Sequence, residues 1–244
     1  MSSHLPLPVS GDPGEVWRVG YAPDPWQWAP WQFASDGGRF NGRWDDQNAQ
    51  FRTLYTSDSL LGCFLELLAP QRPNDTAFLE LNEIQDDAAL VDTYPDPERG
   101  AIGLSWLSGR MFARGRQRGS YAEITTSQGV GYLVDAGVLA SLGVSPSEVD
   151  VALLKNANRR SVTRTIARHL FDLRDTSSLQ PAVDGIAFRS RMGDDIRLWA
   201  VFERSDALVS EHITPGPAEA VTEGVPELVN AFLLLGLHWK DAAD

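Results

Sequence analysis

Apolar and polar positions along this chain fall mostly into short runs, with helical spacing confined to a few segments. Val16–Tyr21 and Phe51–Tyr55 read as strands, as do Phe78–Leu81 and, more weakly, Ala89–Val91. After the second strand, Thr56 or Ser57 can cap a helix that runs through about Leu68, where Pro70 and Pro73 prevent its extension. Residues 92–120 read as loop around a cluster of arginines, and Tyr121–Ala140 holds either a helix or a pair of strands. Val149–Leu154 clusters its apolar residues more than it alternates them. Asn156–Leu173 places Val162, Ile166, His169 and Leu170 near helical spacing and predicts a helix.

Two apolar runs, Gly185–Phe188 and Leu198–Phe202, flank the polar segment SRMGDD, which is the pattern of a hairpin with a polar tip. From Ala207 the chain is punctuated by prolines, then closes with PELVNAFLLLGL. That apolar helix must bury itself on the core or against a partner. The first 35 residues are rich in Pro and Trp, which disfavours helix and suggests an irregular arm whose aromatics plug onto the body. A length of 244 residues fits one α+β domain with a full core.

Composition narrows the function classes. Hydrophobic content of 43%, charged content of 22% and eight tryptophans mark a globular chain. A formal charge of −12 argues against general attraction to nucleic acid, although RMFARGRQR (110–118) carries four arginines. Cys63 is the sole cysteine and can form no intramolecular disulfide. No secretory or membrane-spanning run is visible, so the expectation is a soluble cytoplasmic protein. The four histidines lack zinc-ligand spacing, and no metal site is expected.

Candidate chemistry concentrates in residues 37–66. Glu66 lies inside the apolar run Leu60–Leu68, either as an exposed helix residue or as a carboxylate at a cleft wall that stabilises developing positive charge. Tyr55, at a strand end, is a rim aromatic or a stacking platform for a flat ring. Arg39 and Arg43, beside glycines, either pair with Asp36, Asp45 and Asp46 or grip a phosphate. Ser190, between Arg189 and Arg191, is a turn serine or a hydroxyl facing the same cleft. No Walker, Rossmann or metalloprotease motif is present.

Together, GGRFNGRW, the eleven-residue step from Tyr55 to Glu66 in LYTSDSLLGCFLELL, and DGIAFRSRMGDDIRLWAVFE resemble the RES-domain family, named for its Arg, Glu and Ser. The resemblance spans residues 16–204, with 1–15 as an N-terminal arm and 205–244 as a C-terminal extension. It implies an ADP-ribosyltransferase-like fold, with a central mixed or antiparallel sheet and flanking helices. It also implies a bacterial toxin that consumes NAD⁺ and is held in check by a helix-turn-helix antitoxin of the Xre type. The family arginine falls on Arg39 or Arg43, an earlier one on Arg18, the tyrosine on Tyr55, the glutamate on Glu66 and the serine on Ser190. A histidine that often follows the family's glutamate helix is absent here, where the chain reads LLAPQ.

NAD⁺ gives the set a chemical logic. Cleaving the ribose–nicotinamide bond passes through an oxocarbenium-like centre, which calls for a nearby carboxylate, a platform for the departing ring and cations on the pyrophosphate. The expected roles are Glu66 at the ribose, Tyr55 at nicotinamide, Arg18 with Arg39 or Arg43 at the phosphates, and Ser190 as a polar contact. Water, phosphate or a protein side chain as acceptor would make the enzyme a glycohydrolase, a phosphorylase or an ADP-ribosyltransferase. The competing class is a RES-like module that binds a nucleotide or partner without turnover. A homo-oligomer is compatible with the sequence.

Overall fold

A computed structural model describes residues 5–35, 37–73 and 99–240. Its strands are β1 (Val9–Ser10), β2 (Gly14–Tyr21), β3 (Thr53–Ser57), β4 (Ala101–Ile102), β5 (Arg110–Gln117), β6 (Tyr121–Glu123), β7 (Gly185–Arg189), β8 (Arg197–Phe202), β9 (Ile213–Ala220) and β10 (His238–Trp239). Its α-helices are α1 (Leu60–Leu68), α2 (Ser127–Asp135), α3 (Val151–Lys155), α4 (Arg160–Asp172) and α5 (Pro226–Leu235). Eight strands form one sheet in the order β1-β6-β7-β8-β3-β2-β5-β9, antiparallel except for the β6–β7 pair, while β4 and β10 pair in parallel beside it. The architecture is α+β, as expected from the sequence.

The two-residue period of the strands sorts side chains to opposite faces. Along β8, Leu198, Ala200 and Phe202 join the larger cluster under the helices, while Trp199 and Val201 join a smaller one on the other face. Trp26 and Trp28, from the N-terminal segment, fill that smaller cluster, so the arm does plug its aromatics onto the body. α5 docks on the core through Leu228, Ala231, Phe232 and Leu235 and packs against α1.

Several expectations need correction. The arginine-rich segment is not loop: β5 is an eight-residue strand between β2 and β9. Ala113, Gly115 and Gln117 are its buried positions, while Arg114 and Arg116 alternate outward. Small buried residues hide the strand from a hydrophobicity pattern, and Gly115 is required because an added Cβ would lie 2.7 Å from Trp26. Thr56 and Ser57 belong to β3, and the helix is capped by Ser59, whose hydroxyl accepts from Gly62 N at 3.1 Å. Tyr121–Ala140 is one strand followed by one helix, β6 and α2. The proline-punctuated stretch contains β9, whose Pro215 and Pro217 are tolerated because β9 is the sheet's last strand. Phe78–Leu81 and Ala89–Val91 lie outside the described residues.

Candidate active site

β3, α1 and the β7–β8 turn bring the site together. Ser57 ends β3, Ser59 starts α1, and Gly62 lies where a Cβ would sit 2.4 Å from Ser57 Oγ and 2.7 Å from Ile196 Cγ2. Only a glycine lets the helix approach the turn this closely. Glu66 follows four residues later on the same helix face, half-buried, and Ser190 Oγ donates to its Oε1 at 2.5 Å. Ser190 is itself fully buried and fixed from both sides: its N–H donates to Ile196 O at 3.1 Å, and its Oγ accepts from Met192 N at 2.8 Å. The turn therefore presents a hydroxyl whose one proton points at Glu66.

Tyr55 is set by the Gly-rich loop. Its Oη accepts from Trp44 N at 2.8 Å and donates to Asp45 Oδ1 at 3.2 Å, while Asp45 Oδ2 accepts from Gly42 N. A Cβ on Gly42 would stand 2.5 Å from both Tyr55 Oη and Asp45 Oδ2, which explains the glycine of GRW. Burial pushes the Tyr55 hydroxyl well above its ordinary pKa and raises that of Asp45, against which the Gly42 and Tyr55 hydrogen bonds pull down. α4 fastens the loop: Arg164 Nη2 donates to Phe40 O at 2.8 Å, Thr165 Oγ1 to Gln47 Oε1 at 2.8 Å, and Arg168 pairs with Asp46 at 3.6 Å.

The arginines divide. Arg43 is only 7% exposed and lies with its guanidinium carbon 5.6 Å from the Phe188 ring centroid. Burial lowers its pKa, the charges of Glu66 and Tyr55 oppose that, and Arg191 and Arg160 add to the lowering. Arg43, Glu66, Tyr55, Arg160 and Arg191 thus share one electrostatic neighbourhood. Arg39 instead donates to Gln47 O at 3.4 Å, in the loop's own frame. Arg18 spends its Nε on Pro25 O and Nη1 on Tyr55 O, at 2.5 and 2.9 Å, beside the point where β2 and β3 pair. Burial pulls its pKa down to about 10, with Cys63, Asp24 and Tyr55 as its opposing charged neighbours. Arg18 supports Tyr55 through the backbone.

Sequence reasoning did not find Gly62 or Arg160, and it noted Asp45 only as an ion-pair partner for Arg39 or Arg43 and Arg191 only as a flank of Ser190. The acidic pair after GRW was a signal for Asp45. Gly62 at i−4 from Glu66 was a signal for close helix approach. Nothing local marked Arg160, whose neighbours Arg43 and Arg191 lie 117 residues before it and 31 after it in sequence.

The site is therefore a carboxylate–hydroxyl pair in the neighbourhood of a half-buried tyrosine and a buried arginine, carried on one mixed sheet. The chain belongs to the RES domain family, whose model matches residues 15–222. Among solved structures it is similar to a chain in the crystal structure of the M. tuberculosis MbcT-MbcA toxin-antitoxin complex, at 13% identity and a TM-score of 0.47, over 93% of this chain and 92% of that one. No curated protein matches the sequence. Among the described residues no helix is long and apolar enough to cross a membrane, and no group of three or more His, Cys, Asp or Glu is placed to hold a metal ion.

Proposed function

We propose that the protein consumes NAD⁺ by breaking its nicotinamide–ribose bond, as a toxin of a toxin–antitoxin pair. The observation that carries the reading is the Ser190–Glu66 hydrogen bond in the same neighbourhood as Tyr55 and Arg43. Membership of the RES family makes NAD⁺ the dinucleotide to test first. Ser190 engages one oxygen of Glu66 and fixes the carboxylate's direction. The carboxylate then lies against the ribose and stabilises the positive charge that grows at C1′ as the bond to nicotinamide nitrogen lengthens. Tyr55 offers its ring face to nicotinamide, with its hydroxyl held by Trp44 and Asp45. Arg43 faces a phosphate oxygen, and Arg18 acts through the Tyr55 backbone.

In the simplest course the C1′–N bond breaks with its electron pair leaving on nicotinamide. A water oxygen bonds to C1′, and the water's proton passes to solvent. Phosphate or a protein side chain in place of water would give phosphorolysis or ADP-ribosyl transfer. An enzyme that depletes NAD⁺ needs restraint in its own cell, and a helix-turn-helix antitoxin covering this cleft would supply it. Purified protein incubated with NAD⁺ should release free nicotinamide, followed by chromatography. No release with water, phosphate and cell extract each offered as acceptor would leave a binding module without turnover.

A further inference from the structure

We infer that Arg160 and Arg191 form a phosphate-group subsite adjoining the Glu66 cleft, in a cavity of about 640 Å³ that they line together with Arg72 and Asn158. The inference deepens the NAD⁺ reading and rests on it for the identity of the ligand, though not for its charge.

Arg160 and Arg191 line one cavity and each lies close enough to repel Arg43, where Glu66 is the acid that offsets them. Half of that carboxylate is already engaged by Ser190. Among the described residues neither Arg160 nor Arg191 forms an ion pair with a carboxylate. Arg43 Nη1 and Arg191 Nε are buried donors without a hydrogen-bond partner there, and Arg43 as a whole is 7% exposed. Clustered cations with unspent buried donors cost free energy until an anion with several acceptor oxygens enters.

The backbone points the same way. Arg160 opens α4, a helix of thirteen residues whose N-cap, Arg159, makes no side-chain capping bond. Among the described residues no side chain caps its first turn, where Val162 N donates to Arg159 O at 3.1 Å, and the positive end of its dipole lies beside the cavity that Ala157 and Asn158 line. A carboxylate ligand would use two oxygens. A phosphate group uses three, matching two arginine forks and a helix end.

Two sources supply that chemistry, the pyrophosphate of the dinucleotide and free inorganic phosphate. Calorimetric titration at low ionic strength with inorganic phosphate, and separately with pyrophosphate, measures the subsite without any turnover. Wild type should bind both saturably, and Arg160→Gln/Arg191→Gln should weaken both at least about tenfold. Arg114→Gln/Arg116→Gln, on the exposed side of β5, removes the same two charges and should bind as wild type does. The paired lysine variant, Arg160→Lys/Arg191→Lys, should recover part of the loss, since it restores charge without the fork.

Nicotinamide release then separates the sources. Phosphate that inhibits competitively with NAD⁺ marks the subsite as the seat of the substrate's pyrophosphate. Phosphate that accelerates release, appearing bonded at C1′ of the product, marks it as the acceptor's seat. Absence of saturable anion binding, or binding unchanged in the glutamine double variant, overturns the subsite. Intact anion binding without nicotinamide release under any acceptor overturns the NAD⁺ reaction and leaves the subsite standing.

Discussion

Glu66 is half-buried with one oxygen tied to a fully buried hydroxyl, so its chemistry turns on charge more than on position. Glu66→Gln keeps the volume and an acceptor for Ser190 while deleting the charge, and nicotinamide release is expected to fall about 10²–10³-fold. The denaturation midpoint should stay near wild type, and unchanged turnover would remove Glu66 from the role assigned to it. Tyr55→Phe removes a hydroxyl that serves Trp44 N and Asp45 together. Because it leaves a buried carboxylate short of a donor, urea unfolding should register a loss of about 1–3 kcal/mol, and a loss near zero would show that water replaces the hydroxyl. His169 gives a pH signature away from the site. Its Nε2 lies 2.9 Å from Tyr132 Oη, and burial lowers its pKa below the usual value. The unfolded chain then takes up this proton near pH ~6.5 before the folded chain does. Its contribution to stability is therefore present above that pH and is lost as pH falls toward the lower folded value. Urea midpoints taken from about pH 7.5 to about pH 5 should decline less in His169→Gln than in wild type; equal declines would refute the assignment.

α1 is the element on which the site depends, because its first turn sets how near Glu66 comes to Ser190. Gly62→Ala would place a methyl group 2.4 Å from Ser57 Oγ and 2.7 Å from Ile196 Cγ2, and overpacking of this kind costs about 1–3 kcal/mol. The helix must tilt or the 190–196 turn must move, so nicotinamide release should drop although no proposed catalytic group is altered; full activity would show that the turn yields freely. Legibility in the sequence followed the same physical lines. α4 was readable from its helical spacing, and α1, α5 and the β7–β8 hairpin from apolar runs bounded by caps, prolines or a polar tip. β5 was not, since Ala113 and Gly115 fill its inward positions and arginines fill the outward ones. β9 was masked by prolines that only an edge strand accepts. Tyr55, Glu66 and Ser190 were separate candidates that the family resemblance joined into one set, and the structure brings the last two into contact across 124 positions. Arg43 and Arg39 were equivalent as text. Only the fold of the loop against α4 separates them, since it buries one beside Glu66 and leaves the other on Gln47. Arg160 was out of reach because it is defined by neighbours that folding supplies, while the local signals at Asp45 and Gly62 gained meaning only once folding set Tyr55 beside the one and Ile196 beside the other.

At the scale of the whole molecule, the chain beyond Arg204 completes the body that holds the site. β9 pairs with β5 from Met111 to Gln117, and α5 buries Leu228, Phe232 and Leu235 while packing against α1. Burial of each such side chain is worth about 1.5–3 kcal/mol, so three of them amount to a large part of the ~5–15 kcal/mol that holds a domain together. Removing the segment would also leave β5 as an unpaired edge and strip cover from the helix carrying Glu66. A chain ending at Arg204 is therefore expected to lose its cooperative urea transition and its near-ultraviolet circular dichroism, and with them any nicotinamide release. The contrasting outcome is specific: a 1–204 chain that unfolds cooperatively and turns over NAD⁺ at the full-length rate would make the last forty residues an appendage. In that case the exposed Val229, Leu233 and Leu234 on α5 would be the first place to look for what the appendage contacts. If the transition is lost, activity should not return on adding residues 205–244 in trans as a peptide, because β9 must enter its place beside β5 while the sheet is forming.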